Sequence, residues 1–161
     1  MRSGRVSTAL AVTSQFVPSG PIVSIESNGG EIDTFEADDT AIAPKPLAVL
    51  VNAYSASASE ITAAALQESG TGVLVGTKTF GKGVVQSVTN FADGSAIKIT
   101  TGRYYTPLHH DINGHGIIPN VVVNENIHAV FGTPGKDAQL SKALDVIQSA
   151  LAQRDGASSP D

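Results

Sequence analysis

Two short apolar runs flanking one amphipathic stretch limit this chain more than any other feature. LAVLVN (residues 47–52) opens with five apolar residues in a row, and GVLVG (residues 72–76) follows about one helix length later. Neither alternates with polar residues, which is how strands buried on both faces of a parallel sheet read. Between them the segment from Ser57 to about Ser69 is rich in alanine, offers Ile61, Ala64, Ala65 and Leu66 for packing, and ends at Gly70, a suitable helix cap. Strand, capped helix and strand in so short a span make a βαβ unit. In open α/β sheets ligands bind beyond the carboxyl ends of the strands, and SASASE (residues 55–60) lies at such an end.

The flanking segments fill in the rest of an α/β chain. Val6, Ala9, Leu10, Phe16 and Val17 fit one face of an N-terminal helix, which Pro18-Ser19-Gly20 ends. PIVSIES and EIDTFEA around Asn28-Gly29-Gly30 predict a hairpin, and ADDTAIAPKP a loop. VVQSVTNF and SAIKITTGRYY around Asp93-Gly94 predict a second hairpin; with those two residues as its loop, Gln86 faces Thr101 and Val88 faces Ile99. HHDINGHGIIPN reads as irregular and VVV as a short strand. DAQLSKALDVIQSAL reads as a helix with Leu140, Leu144, Ile147 and Leu151 on its packed face. Residues 1–155 are expected to form a single domain and 156–161 a flexible tail.

Composition removes several function classes. The net charge of −5, with Glu31, Asp33, Glu36, Asp38 and Asp39 clustered, opposes binding to nucleic acid, whose phosphates would be repelled. The acidic cluster itself reads as a solvated edge. The chain has no cysteine, which excludes disulfides, thiolate catalysis and cysteine metal sites. No apolar run approaches the roughly 18 residues of a membrane helix, and MRSGRVSTALAV lacks the pattern of a secretion signal.

SASASE supports two readings. Ser57-Ala58-Ser59-Glu60 fits the S-x-x-E capping box, in which serine and glutamate satisfy the exposed N–H groups of a helix start. A serine can also be a nucleophile, once a base takes its proton. The histidines (His109, His110, His115 and His128) all fall late in the chain, and none has the local context of a triad base. Lys82 meets the requirement for a lysine base. It lies between Gly81 and Gly83, beside Phe80, Val84 and Val85, and no Asp or Glu occurs from Ser69 through Ala92. Burial away from acids disfavours the charged ammonium, which a neutral base requires. The plainer alternative is an exposed loop lysine. A phosphate-binding loop does not fit, because G-x-x-x-x-G-K-[ST] is not met.

Taken together, PLAVLVNAYSASASEITAAALQESGTGVLVGTKTFGKGVVQSVTNFADGSAIKITTGRYYTP resembles the catalytic core of the carboxyl-terminal processing (tail-specific) proteases. The likeness continues upstream through FVPSGPIV and downstream through GHGIIPNVVV and DAQLSKAL. It implies a crotonase/ClpP-like mixed sheet core with βαβ units plus β-hairpins. It further implies a serine-type endopeptidase with a Ser/Lys dyad that cleaves protein substrates near their C-terminus by way of an acyl-enzyme. On this resemblance Ser57 is the nucleophile, Lys82 the base and Gln86 the group that orients the lysine, with Ser55 and Ser59 as neighbours of the active serine. The N–H of Ala58, at a helix N-terminus, is expected to donate to the oxyanion.

Such proteases need no metal or cofactor, and their partner is a protein or peptide with an accessible C-terminal tail. A homo-oligomer is left open. The resemblance also implies an exported or cell-envelope (periplasmic) location in a bacterium. Family members carry a peptide-binding PDZ module and more core upstream. The chain is therefore expected to be N-terminally truncated, with Gly4 as the remnant of a glycine-rich turn that lends a second oxyanion donor. A truncated core of this kind is expected to lose activity that its parent has.

Two rival functions stand beside this one. A non-catalytic peptide-binding or scaffold fragment would keep the fold without the chemistry. A metal-dependent hydrolase would use His109, His110, Asp111 and His115, but their spacing matches no zinc-ligand motif, and loop histidines on a surface are the simpler expectation.

Overall fold

The computed structural model describes residues 4–124, 132–133 and 135–157. Along the chain it places α1 (Gly4–Ser14), β1 (Pro21–Ser27), β2 (Ile32–Glu36), β3 (Ala48–Val51), α2 (Ala58–Glu68), β4 (Val73–Gly76), β5 (Val84–Asn90), β6 (Ala96–Tyr105), β7 (Val121–Val122) and α3 (Ala138–Ala157). The strands form two sheets. One has four antiparallel strands in the order β2-β1-β6-β5, and the other has three parallel strands in the order β3-β4-β7. This is the mixed α/β arrangement with a βαβ unit and two hairpins that the sequence predicts.

The βαβ unit forms as expected, with Ala48 opposite Val73 and Val51 opposite Gly76. Gly76 has to be glycine, since a Cβ there would collide with the Val51 carbonyl oxygen and its φ is +137°. Burial on both faces holds only for β4, where Leu74 and Val75 are fully enclosed. β3 departs from the expectation: it is an edge strand, and Leu50 is 46% exposed. An edge strand has one neighbour, so an apolar run alone does not show which of two strands is covered.

α2 lies where the two sheets meet, touching β1 of one and β4 of the other. Ile61, Ala64, Ala65 and Leu74 join Ile22, Val23, Tyr104 and Ile112 in the core cluster. Burying a side chain the size of Ile61 contributes roughly 1.5–3 kcal/mol, so the alanine-rich face anchors α2 mainly through its few large residues and its close approach. α1 packs on α2, and the Thr13 hydroxyl donates to Thr62 Oγ1 at 3.1 Å. α1 stops at Ser14, so Phe16 and Val17 lie beyond it; Val17 is still buried.

Two expected registers shift. The second hairpin pairs Gln86 with Thr100 and Val88 with Lys98, one residue away from the predicted pairing. Phe91 N–H donates to the Ser95 carbonyl at 2.8 Å and Gly94 has φ +85°, so the loop is Ala92-Asp93-Gly94 with glycine in the left-handed position. A bulge between Val85 and Gln86 absorbs the offset on the site side of the hairpin. In α3 the packed side is also different. Ala143 and Gln139 are buried, while Leu144 and Leu151 are 38% and 45% exposed. The helix packs on β3 and β4, and its buried apolar position is a small residue, leaving part of the leucine stripe outside. α3 runs on through Ala157; residues 158–161 lie outside the described residues.

Candidate active site

β3 ends at Val51, and six residues turn the chain into α2. Asn52 and Ser55 tie this turn together. Asn52 N–H donates to Ser55 Oγ at 3.1 Å, Ser55 N–H to the Asn52 carbonyl at 2.9 Å, and Tyr54 N–H to Asn52 Oδ1 at 2.9 Å. Ser55 is thus a turn-closing residue.

Ser57 follows with φ +57° and ψ −116°, a conformation that side-chain-bearing residues rarely adopt. Holding it costs on the order of 1–3 kcal/mol, and such strain persists only where the surroundings enforce it. Here the Ser57 carbonyl accepts from the N–H groups of Glu60 and Ile61 at 2.8 and 3.0 Å, and its own N–H donates to Glu60 Oε2 at 2.9 Å. The hydroxyl lies at the capping-box position beside the Glu60 N–H without closing a cap hydrogen bond. It is half-buried at a sharp strand-to-helix turn, where a nucleophile can be presented above a sheet. Ala58 N–H, the first of the helix, has no acceptor among the described residues and faces the same end of α2.

Glu60 is the residue whose importance the sequence reading underestimates. Its side chain is fully enclosed, at 0% exposure. Oε2 accepts from the backbone N–H of Ser57 and from that of Lys82 at 2.8 Å; Oε1 accepts from the Thr79 hydroxyl and the Gly81 N–H, both at 2.6 Å. A buried carboxylate without partners would cost several kcal/mol, and four donors remove that penalty. The capping box accounts for only one of these bonds. The other three reach 19 to 22 residues along the chain, and nothing local in the sequence announces them.

Through Glu60 the turn bearing Ser57 and the loop bearing Lys82 share one oxygen atom. Phe80 N–H adds a second tie, donating to the Ser55 carbonyl at 3.0 Å. Gly81, with φ +88°, and Gly83 let this loop lie against residues 113–116, since a Cβ on Gly83 would meet Asn113 N at 2.6 Å. Lys82 is half-buried, and no acidic side chain pairs with it among the described residues. The acid-free neighbourhood read from the sequence is nevertheless incomplete, because the Glu60 carboxylate reaches the loop's backbone from another element. No hydrogen bond joins the Ser57 hydroxyl to the Lys82 ammonium. Gln86 is exposed just past the bulge of β5, with no hydrogen bond to Lys82 among the described residues.

An apolar cleft of about 490 Å³ opens beside the Ser57 turn, walled by Ala9 and Val12 of α1, Val49 and Leu50 of β3, and Ala58 and Thr62 of α2. Ser55 and Ser59 also reach it. Gly4 opens the helix that forms one of its walls.

The loop histidines disperse. His109 stacks on Tyr105 with ring centroids 4.5 Å apart, His110 Nδ1 lies 2.9 Å from Glu68 Oε1, and Asp111 sits 3.4 Å from Arg103. Among the described residues no three potential ligands gather around one point; His128 lies outside them.

Fold and site together define an α/β protein with a serine on a strained strand-to-helix turn, fastened to a glycine-flanked lysine loop. Residues 3–123 match the sequence family described as Peptidase family S41, and the chain belongs to that family. It is 39% identical over 151 residues to a carboxyl-terminal-processing protease of Synechocystis sp., a match covering 92% of this chain and 35% of that protein. With a chloroplastic C-terminal processing peptidase of Tetradesmus obliquus it shares 40% identity over 133 residues, covering 79% and 29% of the two chains. The solved photosystem II D1 C-terminal processing protease superposes with a TM-score of 0.69 at 40% identity, covering 74% of this chain and 31% of that one. An S41 protease structure from Bacteroides fragilis, at 16% identity, shares the fold with a TM-score of 0.69 over 90% of this chain and 42% of its own. The chain therefore spans about a third of the length of the curated relatives it matches.

Proposed function

We propose that this chain is the catalytic core of a serine-type endopeptidase that cuts protein substrates near an accessible C-terminal tail. The observation that carries the reading is the shared carboxylate. A strained serine turn and a lysine loop are fastened to one buried side chain, in a member of a peptidase family.

In this reading neutral Lys82 takes the proton from Ser57 Oγ as the oxygen bonds to the scissile carbonyl carbon. The Ala58 N–H and a second backbone donor, assigned to Gly4, hold the oxyanion. Collapse breaks the carbon–nitrogen bond, and the Lys82 ammonium returns its proton to the departing amine. Water, deprotonated by the same lysine, then clears the ester and restores Ser57. Gln86 orients the lysine. Every step uses groups of the chain and water alone. By analogy with the relatives, the protein works outside the cytoplasm, in the envelope of a bacterium; among the described residues no helix is long and apolar enough to cross a membrane.

The test is cleavage of an unstructured C-terminal tail by the full-length protein beside its Ser57→Ala and Lys82→Ala variants. Both substitutions should abolish cleavage while leaving the fold intact. Cleavage surviving either one overturns the dyad, and loss on adding a chelator would favour a metal hydrolase instead.

A further inference from the structure

Thr79 is bound on more sides than a residue in a glycine-rich loop requires. It is buried. Its hydroxyl donates to Glu60 Oε1 at 2.6 Å and accepts from the Ile117 N–H at 2.7 Å, and its own N–H donates to the Ile117 carbonyl at 3.1 Å. Around this point the backbones of residues 79–83 and 113–117 touch. Gly114 N–H donates to the Gly81 carbonyl at 2.9 Å. A Cβ on Gly81 would lie 2.9 Å from Gly116 N, and a Cβ on Gly116 would collide with the Thr79 carbonyl oxygen. The Asn113-Gly114-His115-Gly116 stretch, whose histidine the proposed chemistry does not use, thus forms the backing of the lysine loop.

We infer that Thr79 is a positioning residue for Lys82. Its hydroxyl clasps Glu60 to Ile117, so that segment 113–117 fixes where the loop delivers the lysine to Ser57. The inference rests on the Ser57/Lys82 reading above. Glu60 fixes two backbone N–H groups of the loop, and the Ser57 N–H holds its Oε2 from the α2 side, but apart from Thr79 the only partner of Oε1 is the Gly81 N–H, which moves with the loop. The threonine hydroxyl ties the same carboxylate to a third element that does not belong to the loop. Removing that hydroxyl leaves Ile117 N–H buried without its acceptor and frees Oε1 to follow the loop. A displacement of about 1 Å at a catalytic group can cost on the order of 100-fold in rate.

The experiment compares Thr79→Val, which keeps the shape and removes the hydroxyl, with Thr79→Ser, which keeps the hydroxyl. Two readings are taken on each: hydrogen exchange at the amides of Gly81 and Lys82, and the rate of Ser57 labelling by a fluorophosphonate across pH, with Ser57→Ala as the blank. The valine variant should exchange those two amides about 10-fold faster or more while the β4 amides hold their protection. Its labelling should slow by roughly 100-fold with a displaced pH dependence, and serine should restore both readings.

The clasp is refuted if valine leaves both readings at wild-type values, if only one of them changes, or if serine behaves as valine does. Should the valine variant not fold, Gly116→Ala displaces the Thr79 backbone and is judged by the same pair of readings. A labelled Ser57→Ala variant, or an unlabelled wild type, counts against the Ser57 assignment instead; the exchange measurement then still decides the clasp.

Discussion

Ser57 and Lys82, 25 residues apart in the chain, donate their backbone N–H groups to the same oxygen, Oε2 of Glu60, at 2.9 and 2.8 Å. This relationship makes one buried side chain responsible both for a strained turn and for the placement of a loop. It also sets what perturbation should do.

Glu60→Gln keeps the shape of the side chain and turns one oxygen into an NH₂ group. Each oxygen now faces two donors, so either orientation of the amide sets donor against donor. The expected loss is roughly 3 kcal/mol of stability, since several buried donors lose a charged acceptor. Reactivity of Ser57 should fall as well. Urea unfolding and fluorophosphonate labelling of the same preparation measure the two effects.

Gly83→Ala and Gly94→Ala separate close approach from backbone conformation. A Cβ on Gly83 would meet Asn113 N at 2.6 Å, whereas Gly94, with φ +85°, has nothing within 4 Å. Gly94→Ala should cost about 1 kcal/mol from its left-handed φ and leave any activity intact. Gly83→Ala should cost roughly 1–3 kcal/mol because it pushes backbone against backbone, and it should impair Ser57 labelling. Thermal melts and labelling rates distinguish them.

Ala143 and Leu144 test which side of α3 packs. Ala143→Leu forces a larger side chain into the buried contact and should destabilise by about 1–3 kcal/mol. Leu144→Ala removes a side chain that is 38% exposed and should cost less. Reversed results in a denaturation series would restore the leucine stripe as the packed face.

Asp137 caps α3 and gives an acid-side prediction. Its carboxyl accepts from the Leu140 N–H and from the Gly132 N–H, and these bonds hold its pKa below the ordinary aspartate range against a weaker opposing effect of burial. A carboxyl with a depressed folded-state pKa stabilises the fold above its unfolded value. That contribution is lost as pH falls through the lower folded value. The melting temperature should therefore drop on acidification below about pH 4, and Asp137→Asn should show a shallower drop. Melts from neutral to strongly acid pH, on both proteins, check the difference.

Much of this molecule could be read locally. The βαβ unit, the cap at Ser57 and both hairpins follow from patterns a few residues long, because helix and strand periodicity and turn chemistry act at that range. The resemblance that singled out Ser57, Lys82 and Gln86 likewise rests on contiguous motifs. The hairpin register did not follow, because the Asp93-Gly94 pair is compatible with both two- and three-residue loops, and only the pairing of Phe91 with Ser95 selects one.

Sequence alone determined which segments become helix or strand and which serine and lysine were worth testing, since those choices are written in neighbouring residues. Tertiary structure alone decided which strand is covered, which side of α3 packs, and that Glu60 joins two distant segments. A carboxylate three residues into a helix looks the same in a sequence whether it caps its own turn or accepts from Thr79, Gly81 and Lys82 as well. The difference arises only when folding brings those donors to it and removes the water that would otherwise compete.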